Sequence, residues 1–178
     1  MPRLQHRKAA KDYPDAGISK GDMYYYVKIK TGPRSSRTIR SVARPKPSQL
    51  TSSPFKSGWY GMEESLPVTL DAENIKAAAD IIRELGQAAA ESFENMPEGL
   101  QQGDTGQLLE ARRDECEQVA DQLDTLADEL YDLEEPEEPA DPDSEDAALE
   151  YETAQQEFDS DYERITSEAR ELTGEMPE

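Results

Sequence analysis

Cysteine and histidine are nearly missing from these 178 residues, with one of each. A lone cysteine, Cys116, excludes an intramolecular disulfide framework and fits a reducing compartment. With His6 it cannot supply a Cys/His zinc site, so no metal is expected. Large apolar side chains are also scarce. Leu, Ile, Val and Phe total 28, about 16% of the chain. A share below about 20% combined with high net charge argues against one large core. No apolar run approaches the about 18 residues of a membrane span. The basic N-terminal run MPRLQHRKAA is followed by no apolar stretch, so no secretory signal is expected. Phosphate loops are missing as well: Gly17-x-x-x-Gly21-Asp22 lacks both a following helix and a Lys-Ser/Thr ending. The glycines between 99 and 106 lie among Glu98, Asp104 and Glu110, whose charge repels phosphate. Asp141, Asp143 and Glu145 alternate like calcium ligands, but the sixth position of such a loop holds Asp146 rather than glycine, and Pro142 intrudes.

Acidic residues are what the chain has in excess. Asp and Glu number 40 against 19 Lys and Arg, a formal net charge of −21. The distribution is uneven. Residues 1–62 hold 13 cations against Asp12, Asp15 and Asp22, a net +10, and the remainder holds 6 against 37, a net −31. Such asymmetry points to a nucleic-acid or anionic partner for the basic half and an acidic tail on the other. Attraction between the halves is the competing reading.

The expected fold class is α+β, mainly α. Residues 1–12 read as a flexible basic arm. Residues 13–65 read as a basic β-hairpin module with a Pro/Ser connector. Within it, Pro and Gly punctuate turns at 13–17 and 18–22. The run MYYYVKIK at 23–30 is the best strand and RTIRSV at 37–42 its hairpin partner. Two strands alone are marginal, so Phe55, Trp59, Tyr60 or a helix must cover the apolar face. Residues 43–58 form an extended connector with one helical turn near 47–51. Residues 66–133 form an antiparallel, coiled-coil-like helical hairpin. Ile75, Ala78, Ile82, Leu85, Ala89 and Phe93 make the first stripe, with Asp71 as N-cap and Gly86 inside at a cost of about 1 kcal/mol. Asp104 begins the second helix as N-cap, with Gln107 completing a capping box. Leu109, Cys116, Val119, Leu123, Leu126, Leu130 and Leu133 make its stripe. Residues 134–143 are an acidic Pro-rich linker. Residues 144–178 are an acidic helix and tail with Ala148, Tyr151, Phe158, Ile165, Ala169 and Leu172 on one side. That helix either folds back on the hairpin or orders on a partner.

No cluster carries catalytic chemistry. Carboxylates crowd residues 63–178, but no pattern selects a pair. Cys116 sits on an apolar stripe with no base beside it. No enzyme activity and no cofactor are expected. One constellation has chemical content. Tyr24, Tyr26, Lys28 and Lys30 share one strand face, and Arg34, Arg37, Arg40 and Arg44 follow within twenty residues. Rings interleaved with cations suit single-stranded nucleic acid, where each stacked base is worth roughly 1–3 kcal/mol. The competing reading places the tyrosines in the hairpin's own core.

The segments Lys11-Asp12-Tyr13-Pro14, Gly17-Ile18-x-Lys20-Gly21-Asp22-x-Tyr24-Tyr25 and Pro47-Ser48-Gln49-Leu50-Thr51-x-Ser53-x-Phe55 resemble a module of proteins from tailed-phage and prophage genomes. The later Asn95-Met96-Pro97-Glu98-Gly99-Leu100-Gln101-Gln102-Gly103-Asp104-Thr105-Gly106 resembles the second half of the same proteins. The resemblance covers roughly residues 8–133. It implies a host-cytoplasm setting and supplies no catalytic or binding residues. The expected function is a non-enzymatic phage-type accessory protein whose basic hairpin contacts nucleic acid while acidic helices modulate it or recruit a protein. An acidic inhibitor of a host DNA-binding protein and a virion or assembly component are the alternatives. No membrane partner is expected, and the oligomeric state stays open.

Overall fold

The computed structural model describes residues 3–139 and 145–177. The chain divides into two compact units, Met1–Ser65 and Leu66–Glu178. The fold is α+β and mainly α, with one small antiparallel sheet. Among the described residues, no helix is long and apolar enough to cross a membrane.

The first unit is built on three strands in the order β1 (Gln5–Lys8), β2 (Met23–Lys30), β3 (Ser36–Ser41). β1 corrects the expectation of a flexible arm: Gln5, His6, Arg7 and Lys8 pair with Tyr26, Tyr25, Tyr24 and Met23. This strand has no apolar alternation to reveal it. It forms because β2 would otherwise leave a row of amides unpaired, and because Arg7 lies over the β2 tyrosines. The chain returns through a 3-10 turn at Pro14–Ala16, closed by Gly17 at φ 64°, a left-handed conformation that suits glycine. The bridge Tyr13–Ile18 clamps this turn. Its apolar side, Ala9 and Ile18 with Tyr13 and Ala16, packs on Tyr24 and Tyr26.

A second correction concerns residues 54–65. In place of the last residues of the extended connector expected at 43–58 a helix begins, α1 (Pro54–Ser65), which buries Trp59 and Met62. Gly58 and Gly61 hide it from propensity arguments. The readable signal is Ser53 before Pro54, an N-cap followed by proline in the first turn, and Ser53 Oγ does accept from Lys56 N–H at 3.3 Å. The expected helical turn upstream is a 3-10 turn at Pro47–Leu50. It is tied to α1 by Glu64, whose carboxylate accepts from Ser48 N–H at 2.9 Å and Ser48 Oγ at 2.7 Å.

The second unit is a helical hairpin with a third helix folded against it. α2 (Ala72–Glu94) starts at Asp71, whose side chain accepts from Asn74 N–H at 2.7 Å. A short turn of helix, α3 (Glu98–Gln101), interrupts the loop before α4 (Asp104–Asp132). Here Gly103, not Asp104, is the N-cap, and Asp104 is the first helical residue. α2 and α4 run antiparallel: Lys76 meets Asp128, and Arg83 meets Asp121 and Asp124. Gly86 faces Cys116 so closely that a Cβ there would lie 2.9 Å from Cys116 Cβ. The glycine that weakens the isolated helix therefore sets the spacing of the pair. Ile75, Ala78, Ala79, Ile82 and Ala89 are buried on α2, and Cys116, Ala120, Leu123, Leu126 and Ala127 on α4.

α5 (Glu145–Gly174) resolves the choice left open by the sequence, because its C-terminal half packs back. Ile165 and Ala169 are buried. The Tyr162 hydroxyl donates to the Leu70 carbonyl at 2.8 Å, and the Arg170 guanidinium donates to the carbonyls of Pro67 and Val68. Near its start the stripe is shifted by one position: Ala147 is half-buried and Ala148 exposed. Residues 134–139 of the acidic linker have no regular secondary structure. The rest of the expected linker, at 140–143, and the expected helix start at 144 lie outside the described residues, as do the candidate calcium ligands Asp141 and Asp143.

Candidate nucleic-acid interface

Strand alternation and register divide the predicted site between two faces. Directly opposed residues in antiparallel strands share a face. One face therefore carries Gln5 and Arg7 from β1, Tyr24, Tyr26, Lys28 and Lys30 from β2, and Ser36, Thr38 and Arg40 from β3. The opposite face carries Tyr25, Val27 and Ile29 with Arg37 and Ile39. Val27 and Ile29 are buried there. His6 belongs to that second face, its ring stacked on Tyr25 at 4.6 Å.

The first face has a covered end and an open end. At the covered end Tyr24 is only 1% exposed. This corrects its expected role: a ring buried under residues 9–18 offers no surface to a base. Tyr13 packs against it at 5.6 Å between ring centres. Arg7 Nε donates to the Tyr24 hydroxyl at 2.9 Å. Burial works to raise the Tyr24 phenol, but hydrogen bonds from Tyr13 and Arg7 and the charges of Arg7 and Arg40 outweigh it and leave it below its ordinary value. Tyr26 is half-buried, and the Arg7 guanidinium sits 3.7 Å from its ring centre. Arg40 lies 4.7 Å from the centre of Tyr13 and 5.9 Å from that of Tyr26. Of the cations expected beside these rings only Arg40 lies over one, and Arg7, from β1, is the other cation that covers them.

At the open end Lys28, Lys30 and Ser36 are exposed, and Arg34 projects from the turn beyond them. Arg37 does not join this group. It lies on the other face and donates to the carbonyls of Gln49 at 3.1 Å and Thr51 at 3.4 Å. Arg44 follows β3 and lines a groove with Lys46, Lys56 and Tyr60. Sequence reasoning missed Arg7, Tyr13, Lys46, Lys56 and Tyr60. Only a period-two match of Gln5 and Arg7 to the tyrosines could have suggested β1.

The electrostatics of this unit are lopsided. Residues 1–65 hold 13 cations against five carboxylates, a net +8. Three of those carboxylates serve backbone N–H groups: Asp12 takes Lys20, Asp22 takes Ser19 and Glu64 takes Ser48. Among the described residues, every ion pair lies in 66–178. Also among the described residues, no group of three or more His, Cys, Asp or Glu side chains converges as a metal site. Compared with protein-family models, curated proteins and solved structures, the chain matches none of them.

Proposed function

We propose that residues 3–65 form a nucleic-acid-binding module within a non-enzymatic, phage-type accessory protein acting in the host cytoplasm. Lys28, Lys30, Arg34 and Arg40 make the principal phosphate contacts. The observation that carries this reading is the set of cations left without carboxylate partners while neighbouring carboxylates are spent on backbone N–H groups. A polyanion neutralises such a surface and releases counterions on binding. The rings at the covered end stiffen the cations rather than stack on bases. The acidic helices, at a net −29 over residues 66–178, temper the affinity for polyanions through the whole-chain charge.

Fluorescence anisotropy of the full chain with labelled single- and double-stranded DNA and RNA tests this. If about six phosphates of a single strand are neutralised, log K falls with log salt at a slope of roughly −4. Replacing Lys28, Lys30 and Arg34 together by Gln reduces that slope by about 2. A slope near zero in the unaltered chain overturns the reading.

A further inference from the structure

The sheet offers cations but no free ring. The ring is found next to it, in a groove of about 650 Å³ whose walls include Arg44, Pro45, Lys46, Leu50, Lys56 and Tyr60. That volume suits a small ligand, since such sites run roughly 300–1,000 Å³. Its walls are held in place. Gln49 Oε1 accepts from Lys46 N–H at 3.1 Å, closing the 3-10 turn. Ser57 Oγ donates to the Ser48 carbonyl at 2.8 Å, and Glu64 grips Ser48 from α1. Arg37 pins the carbonyls of Gln49 and Thr51 to β3. Trp59, fully buried, anchors the helix that carries Lys56 and Tyr60.

The chemistry is that of an amphipathic anion. Pro45, Pro47, Leu50 and Tyr60 line the groove together with Arg44, Lys46 and Lys56, and these three cations make no ion pair among the described residues. Glu64, on the helix that carries Lys56 and Tyr60, is bound to Ser48. Arg44 lies just past β3, four residues beyond Arg40. We infer that this groove receives one unpaired base of a bound single strand, with Tyr60, Leu50 and Pro45 packing the base and Arg44, Lys46 and Lys56 holding the flanking phosphates. The inference rests on the nucleic-acid reading and adds to it a preference for single strands.

The test uses the full chain, a labelled oligodeoxyadenylate of about 12 nucleotides and a duplex of the same length. Tyr60→Leu keeps the apolar volume and removes the ring, and the fluorescence of the single, buried Trp59 verifies that the unit stays folded. Tyr60→Leu is expected to weaken single-strand binding about tenfold and duplex binding less than about twofold. Lys46→Gln with Lys56→Gln weakens single-strand binding by a similar factor. Adenosine 5′-monophosphate displaces the strand, and inorganic phosphate at matched ionic strength does not. Salt-dependent strand binding that Tyr60→Leu leaves unchanged, or weakens equally on both forms, overturns the base site and spares the basic-surface reading. Displacement by phosphate or a glutamate-rich peptide as effective as by the nucleotide also overturns it. If the unaltered chain binds no strand, the nucleic-acid reading fails and the base site that rests on it is overturned with it.

Discussion

The two units use their cations in opposite ways. In residues 66–178, Lys76 pairs with Asp128, Arg83 with Asp80, Asp121 and Asp124, and Arg164 with Glu129, while Arg170 caps two carbonyls. Each links one helix or connecting segment to another or braces its own helix. In residues 3–65, Arg7 and Arg40 lie over tyrosines and Arg37 holds two carbonyls, while Lys28, Lys30, Arg34, Arg44, Lys46 and Lys56 meet no carboxylate among the described residues. One unit spends scarce cations on packing and the other keeps abundant cations available. A positive charge held beside other positive charges, without a counter-charge, contributes nothing to folding. Under the proposed function it serves contact with a polyanion.

Substitutions are expected to separate the units. The largest effect falls on the dry seam between α2 and α4. Leu123→Ala is expected to lose about 2–5 kcal/mol in urea unfolding, because a fully buried side chain is removed from a tight helix pair. Cys116 comes next. Burial pushes its thiol up to about 11 from 9.0. A raised value in the folded state means the native form holds the proton more tightly. This contribution is therefore complete below about pH 9 and lost as pH rises through about 11, an amplitude of roughly 2–3 kcal/mol. Comparing the unfolding midpoint of the chain and of Cys116→Ala across that window isolates it, and an identical pH response in both would refute it.

Arg7 tests the bracing role in the other unit. Arg7→Ala is expected to lose about 1–2 kcal/mol by removing a bond to a phenol and a cation–ring contact. Phenolate absorbance should then show Tyr24 titrating at higher pH. In the unaltered chain the lowered phenol adds stability only in alkali: the contribution is complete above the ordinary value near 10 and lost as pH falls through the folded value. The smallest effect makes the sharpest contrast. Arg83→Gln is expected to lose up to about 1 kcal/mol, since its carboxylate partners are exposed or half-exposed. Lys28→Gln should stay within about 0.5 kcal/mol of the unaltered chain and change only salt-dependent strand binding. Equal losses for the two would erase the distinction.

Where the sequence was legible, the cause is local. β2 shows in a run of tyrosines and alternating aliphatics, and its observed bounds match the expected ones. α2 shows in its stripe and in Asp71, which caps it as expected. β1 was not legible, because its polar residues are held by main-chain pairing to a strand fifteen or more residues away. α1 was missed because two glycines and a cluster of serines mask a helix that exists to bury Trp59 and Met62. Tyr24 shows the same limit at the candidate site. Alternation assigned it correctly to the face with Tyr26 and Lys28, but alternation does not reveal which stretch of that face residues 9–18 cover.

The separation of charge, the helical stripes and the strongest strand are written in the chain itself, because each follows from composition or from spacing within a few turns. Folding in three dimensions makes Tyr24 core and Tyr60 a groove wall, holds Arg37 on two carbonyls while Lys28 meets no carboxylate among the described residues, and lets Gly86 set a helix spacing. Those assignments depend on residues far apart in the chain meeting in space, and on whether a carboxylate stands within reach of a given cation once they do.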